Sequence, residues 1–315
     1  MNFKLNLPRN KPFQVVGMGL NAVDHLLLLP HFPRFNSKLK VLGSSVCGGG
    51  QVASPLVCLS RLGFSCRYIG SFGDDWQGEF SRQSLETEKI DLEYSRVLPD
   101  TKNQHAYILV EPEGGERTIL WDRPPALYWQ PEELPQAALL SGQILLLDGH
   151  ESEAAAHAAK IAKSAGIPVL VDAETVKPGT AELVANADFV IADTDFPLSF
   201  TGEADLEKAL ALIQAKGPAF VGVTLGKEGS LCLYQGEFLR TPGFKVEAVD
   251  TTGAGDAFHA GFIAGLLKGY SVEDTLKFAN AVAALSCRGL GGRAALPGNF
   301  AEVFAVFPRD FEGWN

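Results

Sequence analysis

The stretch that decides the fold is DTTGAGDAF, residues 250–258. Three small residues, 253–255, precede an apolar pattern over 257–267 that predicts a helix. The first turn of a helix leaves several N–H groups unpaired at the positive end of the helix dipole, and such groups bind anions. Asp256 lies in that turn, where a carboxylate can accept a proton from an attacking hydroxyl. The stretch therefore predicts an anion site with a base beside it.

Phosphoryl transfer suits this combination of groups. Charge spreads over the phosphoryl oxygens during transfer, and the amides of Gly253, Ala254 and Gly255 can stabilise that charge. Just upstream, Asp250 and Thr252 offer oxygens suited to a hard cation. An ordinary helix N-terminus, with aspartates favoured by the dipole alone, is the structural alternative. The length of the string favours the functional interpretation.

Short apolar runs alternate with helix-like segments along most of the chain, and the runs are apolar on both faces, as buried parallel strands are. The predicted strands are 14–20, 68–72, 144–148, 168–172, 189–192 and 220–224, followed by a hairpin of 230–234 and 237–241 that turns at Gln235-Gly236. The predicted helices are 52–62, 77–88, 151–165 and 206–216. The alternation predicts an α/β fold, a doubly wound and mostly parallel sheet with helices on both faces.

Two stretches interrupt this alternation and predict a small β lid. The strands predicted for the lid are 38–46, 104–110 and 117–121, the last two joined by a turn at Pro112-Glu113-Gly114-Gly115. No helices separate them, so we expect an antiparallel lid. It would be inserted at about 25–47 and 93–123 into a single domain over 1–315.

The composition limits the classes of protein. The 315 residues are 46% hydrophobic, enough for a large core, and the formal net charge is −10. An acidic chain is not expected to bind nucleic acid through a basic face. Five cysteines without a C-x-x-C pair indicate reduced thiols and no zinc site. No apolar stretch has the length of a signal peptide or a membrane span, so we expect a soluble, cytoplasmic protein without a membrane partner.

The longer stretch DTTGAGDAFHAGF, residues 250–262, resembles the C-terminal signature of the PfkB, or ribokinase-like, family of carbohydrate kinases. The resemblance extends over nearly the whole chain. GMGLNAVD (17–24) is similar to the opening strand with the substrate-binding aspartate, and GGQVAS (49–54) to the glycine-pair motif. VTLGKEG (223–229) resembles the nucleotide-binding strand and turn. RTILWDR (117–123) is similar to a lid strand of the ketohexokinase branch.

The resemblance implies an activity and a set of roles. The family uses ATP and Mg²⁺, so this chain would phosphorylate a hydroxyl of a sugar, with a keto-sugar favoured. Asp256 would be the catalytic base, and Gly253, Ala254 and Gly255 the anion hole. Many members also bind K⁺ near positions like Asp250 and Thr252. The implied substrate-binding residues are Asp24, Gly49 and Gly50, and the implied nucleotide-binding residues are Thr224, Gly226, Gly229 and Asn280. Many relatives dimerise through the lid, and the resemblance implies a homodimer here.

Some candidates have ordinary structural alternatives. Arg117 and Arg123 would contact the substrate or stay exposed on the lid, and Lys227 would meet an ATP phosphate or be a turn lysine. Ser54 stands where the family often has a sugar-binding asparagine, so it would bind the substrate through a shorter group, and hydroxyl recognition is expected to differ. DTDF, residues 193–196, lacks the N-x-x-E motif that supports Mg²⁺ in many members. We expect the imidazoles at positions 105 and 259 to be structural.

Competing interpretations differ in how well the residues fit them. G-x-G-x-x-A at 17–22 imitates a dinucleotide-binding fingerprint, but prolines follow closely and no acid occurs over 25–73. Glu228 follows Lys227 where a P-loop needs Ser or Thr. A nucleoside kinase of the same family stays open, as does a non-catalytic sugar- or nucleotide-binding protein of the same fold.

Overall fold

The fold is that of a computed structural model, which describes residues 1–111, 117–308, 311 and 314. Its strands are β1 (Phe13–Met18), β2 (Ala22–Leu28), β3 (Gly43–Gly49), β4 (Cys66–Ile69), β5 (Ser71–Gly73), β6 (Arg96–Leu98), β7 (His105–Val110), β8 (Arg117–Asp122), β9 (Gly142–Asp148), β10 (Val169–Ala173), β11 (Phe189–Ala192), β12 (Phe220–Thr224), β13 (Ser230–Tyr234) and β14 (Glu237–Thr241). Its helices are α1 (Ala53–Arg61), α2 (Trp76–Thr87), α3 (Gln136–Leu139), α4 (Ser152–Ser164), α5 (Thr180–Asn186), α6 (Phe196–Thr201), α7 (Leu206–Gln214), α8 (Ala254–Lys268), α9 (Val272–Ser286) and α10 (Phe300–Val306). The turn predicted at 112–115 lies outside the described residues.

An eight-stranded sheet forms the centre, in the order β14-β13-β12-β11-β10-β9-β1-β4. The strands from β12 to β4 run parallel, and β13 and β14 are antiparallel to their neighbours. Alternate residues of a strand point to opposite faces, so Val15 packs with α1, α8 and α9 while Val16 packs with α3, α4 and α5. Helices therefore cover both faces, and the predicted doubly wound fold is confirmed.

Most predicted central strands and helices match the observed ones to within a few residues at each end. The prediction of a single strand over 68–72 is wrong, because the strand is interrupted at Gly70, between β4 and β5. A Cβ there would meet the Tyr68 hydroxyl at 2.0 Å, so the backbone is packed closely against that side chain. Beyond the break, β5 leaves the central sheet and pairs with β6, a short strand that the sequence did not predict.

The lid is a four-stranded sheet in the order β3-β2-β7-β8. The prediction of an antiparallel lid needs a correction: β2, which was not predicted, pairs parallel with β7, and only the outer pairs are antiparallel. The lid strand predicted at 38–46 begins at Gly43 instead. Its register explains this, since Gly43 pairs with Leu28, the last residue of β2, and residues before it have no partner strand.

Helix α8 begins at Ala254, three residues before the predicted start, so Asp256 lies in its first turn as expected. Close packing on α9 fixes its position, because a Cβ on Gly261 would lie 2.7 Å from the Ala279 Cα. Its residues are buried without interruption from Ala257 to Leu266, and none of these carries an acidic side chain, an arginine or a lysine. No helix in the described ranges is long and apolar enough to cross a membrane.

Candidate active site

Two cavities meet at the N-terminus of α8. The lid cavity, about 410 Å³, lies under the lid and is lined by Asp24, Trp121 and Asp256 among others. The hairpin cleft, about 490 Å³, is lined by Lys227, Phe244 and Asn280 among others. Thr224 and Gly255 line both cavities. The two cavities therefore adjoin at Thr224 and the first turn of α8.

The first turn of α8 has no side-chain cap. Its N-cap, Gly253, has φ +74°, a left-handed conformation that favours glycine, and a Cβ there would lie 2.8 Å from the Gly292 Cα. Among the described residues, none accepts a hydrogen bond from the N–H groups of Gly255 and Asp256. Gly255 has open space where a Cβ would point. The turn therefore offers two amides and a positive helix end to an anion.

The Asp256 carboxyl lies beside these amides. Burial, together with the nearby carboxylates of Asp24 and Glu174, raises the pKa of Asp256 to about 7. Arg293 and Arg117 act in the opposite direction. A carboxyl with a pKa close to neutral can take up and release a proton, which suits a general base.

Asp24 lies on β2 and faces the lid cavity. A Cβ on Gly49 would meet the Asp24 Oδ2 at 2.0 Å, so the carboxylate needs a glycine opposite it. Burial raises the pKa of Asp24 to about 6, while the guanidinium of Arg293 lowers it. Gly50 lines the cavity, but Gly49 contributes through its packing against Asp24.

The sequence did not predict Arg293, which is buried at the centre of this region. Its Nη2 donates to the Gly49 carbonyl at 2.7 Å, its Nε donates to Ser54 Oγ at 3.1 Å and its Nη1 donates to Ser84 Oγ at 3.1 Å. Ser54, predicted to bind substrate, is thus occupied with Arg293 and does not line the lid cavity. The only sequence signal for Arg293 was the glycine pair immediately before it.

The two lid arginines have different positions. Arg117 lines the lid cavity, and its Nη1 donates to Thr251 Oγ1 at 2.8 Å. Arg123 is buried in an ion pair with Glu151 and is not among the residues that line the cavity. The predicted contact between Arg123 and substrate therefore needs a correction. The guanidinium is held away from the cavity because its buried charge is paired with Glu151.

All five predicted nucleotide-binding residues line the hairpin cleft; they are Thr224, Gly226, Lys227, Gly229 and Asn280. Asn280 is oriented by a hydrogen bond from its Nδ2 to Ser230 Oγ at 3.0 Å. A Cβ on Gly229 would lie 2.1 Å from the Thr241 carbonyl oxygen, so this turn requires glycine. The cleft walls are largely apolar, which suits a flat aromatic ring between them.

Asp250 and Thr252 are hydrogen-bonded to each other. Asp250 Oδ1 accepts from the N–H and the hydroxyl of Thr252, and its Oδ2 accepts from the Gly291 N–H at 2.8 Å. Within the described part of the chain, no group of three or more His, Cys, Asp or Glu residues is placed to hold a metal ion. These two residues therefore shape the loop before α8, and the monovalent cation stays a prediction.

Three more carboxylates line the lid cavity: Asp172 and Glu174, to which the sequence analysis gave no role, and Asp193 of the DTDF stretch. Burial raises the pKa values of Asp172 and Glu174, and repulsion among the carboxylates adds to the effect. His259 also lines the cavity, and burial lowers its pKa to about 4. Its Nδ1 donates to the Gly255 carbonyl at 2.7 Å, so the neutral ring helps to fix the first turn of α8.

Residues 37–299 match the family described as pfkB family carbohydrate kinase. An ATP-dependent ribose-1-phosphate kinase of Halopiger xanaduensis is 31% identical over 92% of this chain and 97% of its own length. A fructokinase of Klebsiella pneumoniae is 32% identical over 83% of this chain and 97% of its own length. The solved structure of an Arabidopsis thaliana ribokinase complexed with ribose and ATP has a TM-score of 0.78 at 24% identity, covering 93% of this chain and 98% of that one. The chain belongs to the pfkB family of carbohydrate kinases and is a phosphotransferase.

Proposed function

We propose that this kinase transfers the γ-phosphoryl group of ATP to a hydroxyl of a sugar, with Asp256 as the general base. The observation that carries the proposal is the uncapped first turn of α8, which lies where the two cavities meet. An ATP in the hairpin cleft would place its terminal phosphate at the amides of Gly255 and Asp256. An acceptor in the lid cavity would then present its hydroxyl to the same point.

Proton transfer is the step assigned to Asp256. As the hydroxyl oxygen attacks phosphorus, its proton passes to the Asp256 carboxylate, and the bond between the γ-phosphorus and the bridging oxygen of ADP breaks. The amides of the first turn stabilise the charge on the phosphoryl oxygens. His259 holds the peptide that carries the Asp256 N–H, through the Gly255 carbonyl. The lid cavity closes around the acceptor and excludes water, which limits hydrolysis of ATP.

The carboxylates of the lid cavity fit Mg²⁺. Asp172, Glu174 and Asp193 offer the hard oxygen ligands that this ion prefers, and repulsion between them favours a cation nearby. Because no three acidic residues of the described ranges converge on one point, we infer that phosphate oxygens and water complete the coordination. When bound, Mg²⁺ neutralises charge on the phosphates. K⁺ would lie near Asp250 and Thr252, whose loop it would support.

The acceptor is a sugar, and we favour a keto-sugar. Asp24 supplies a carboxylate for hydroxyl groups, and Ile119 and Trp121 of the lid supply an apolar wall for the carbon skeleton. The lid strand that resembles the ketohexokinase branch and the similarity to a fructokinase both support this choice. Of the described lid residues that line this cavity, Arg117 alone is a cation, and it would meet a phosphate of ATP or an anionic acceptor.

The outer face of the lid supports a homodimer. Val46, Tyr107 and Leu120 lie in one row across β3, β7 and β8 and are 44%, 46% and 56% exposed. Apolar side chains grouped in this way are typical of a protein interface. We expect a dimer in sedimentation velocity, and a monomer at working concentration would contradict this assignment.

The cytoplasmic location stays a prediction from the free cysteines.

Removing the base is expected to abolish transfer while leaving ATP binding intact. The Asp256→Asn substitution keeps the size of the side chain but cannot accept the proton, so kcat should fall about 10³-fold. The measurement is ADP release with Mg-ATP over a panel of keto-sugars, aldoses, sugar acids, sugar phosphates and nucleosides. The dissociation constant of ATP, measured by calorimetry, should not rise, because Asp256 does not line the hairpin cleft and the variant removes a negative charge beside the terminal phosphate.

Glu207→Gln provides a matched control, since Glu207 is an exposed first-turn acid on α7. It should retain wild-type turnover. Turnover of Asp256→Asn within about tenfold of wild type would overturn the assignment of the base. A wild-type chain that binds ATP but acts on no member of the panel would contradict the substrate class.

The pH profile is expected to follow Asp256. The base acts as a carboxylate, and burial raises its pKa to about 7, so kcat/KM should rise with pH through neutrality. Below pH 6 it should fall about tenfold for each unit, because the fraction of carboxylate falls by that factor. Steady-state rates at saturating ATP from pH 5 to 9 measure this. A profile that is flat between pH 5.5 and 8 would show that no group of this pKa acts as the base.

A further inference from the structure

Gln104 is a buried polar residue of the lid cavity that neither the sequence motifs nor the proposed mechanism uses. It is 5% exposed, and it lines the cavity next to β7. The Val23 N–H donates to its backbone carbonyl at 3.1 Å, so it continues the pairing of β7 with β2. Residues two apart on a strand share a face, so Gln104 lies on the same face as Ala106, which pairs with Asp24. Its side chain thus shares the inner face of the lid with the Asp24 carboxylate.

The orientation of the Gln104 amide is imposed by Arg123. Arg123 Nη1 donates to Gln104 Oε1 at 3.2 Å. A guanidinium has only donors, so it requires the amide oxygen and would repel the NH₂ group. The Nε2 group must therefore point away from Arg123. Reversing the amide would place two donors against each other.

Arg123 itself cannot turn away. Its Nη2 donates to Glu151 Oε1, and Glu151 Oε2 accepts from the Trp129 N–H at 2.9 Å. The guanidinium also lies over the Tyr128 ring, 5.1 Å from its centre. Breaking a buried ion pair of this kind leaves an uncompensated charge, so both partners stay in place. Contacts from Glu151 through Arg123 therefore hold the amide oxygen of Gln104.

No residue in the described ranges accepts a hydrogen bond from Gln104 Nε2, although the side chain is almost wholly buried. Nε2 is not among the buried side-chain atoms of the described residues that lack a partner, so it is open to the lid cavity. A site built to bond a substrate hydroxyl discriminates against analogues that lack it. Its neighbours in the lid cavity include the apolar side chains of Ala106, Ile108 and Trp121. A polar atom of a bound molecule is the partner that this arrangement lacks.

We propose that Gln104 is a specificity-determining residue, which donates a hydrogen bond from Nε2 to one hydroxyl oxygen of the acceptor while Arg123 and Glu151 hold its amide in place. The inference rests on the proposed sugar kinase activity and adds a residue to it. Asp24 accepts hydrogen bonds and Gln104 donates one. The two residues together would therefore bind one hydroxyl of the acceptor as a donor and another as an acceptor of hydrogen bonds. An acceptor without the hydroxyl that meets Gln104 would be a poor substrate.

Gln104→Glu is the most direct test, because it keeps the size of the side chain and the bond from Arg123 but replaces the donor by an acceptor. The KM of the best acceptor should rise about tenfold or more, with the KM of ATP and the melting temperature unchanged. Gln104→Met adds no charge and should raise the KM of the acceptor by a similar factor. This result would show that the charge added by Gln104→Glu is not the cause of the rise. Gln136→Glu, an exposed glutamine on α3, adds the same charge outside both cavities and should behave as wild type.

Monodeoxy analogues of that acceptor identify the contact. In the wild-type chain, one analogue should have a higher KM than the parent acceptor. In Gln104→Met, the same analogue and the parent acceptor should have equal KM values, because the contact is already absent. If the Gln104 variants keep the wild-type acceptor KM, or if every analogue loses as much in the variant as in wild type, the inference is wrong while the kinase activity stands. If the wild-type chain phosphorylates no acceptor, the proposed function fails, and this inference fails with it.

Discussion

The free N–H groups in the first turn of α8 are the constraint on which the site depends. They stay free because Gly253 turns left-handed and supplies no cap. One loop holds this turn and the acceptor region together: the Gly291 N–H bonds to Asp250, Gly292 packs on Gly253, and Arg293 reaches the Gly49 carbonyl. A change in that loop would move the anion hole and the Asp24 region together, although they are far apart in the sequence.

The site concentrates buried carboxylates, and this makes its chemistry possible at a cost in stability. Asp24 and Asp256 have raised pKa values because burial and repulsion from neighbouring carboxylates disfavour their charged forms. Arg293 offsets part of this cost, and its own pKa is lowered by burial. Repulsion among these carboxylates favours binding of cations, as the proposed Mg²⁺ site requires. Active sites commonly sacrifice stability in this way.

Prediction from the sequence succeeded for elements that local patterns determine, and it failed for features that depend on contacts between residues distant in the sequence. The parallel strands and the start of α8 follow from apolar periodicity and small residues. β2 was missed because AVDHLLL does not alternate clearly between apolar and polar. Arg123 was assigned to the substrate because nothing local reveals Glu151 as its partner. Arg293 was missed because its partner Ser54 lies 239 residues earlier. Pairings of this kind arise only when the chain folds.

The central claim is that acceptor and ATP meet at the first turn of α8. A crystal structure of the Asp256→Asn chain with Mg²⁺, a non-hydrolysable ATP analogue and the best acceptor would test this most directly. The account predicts the adenine in the hairpin cleft, the terminal phosphate on the N–H groups of residues 255 and 256, and an acceptor hydroxyl between that phosphate and the side chain at 256. A terminal phosphate bound away from this turn, or an acceptor outside the lid cavity, would contradict it.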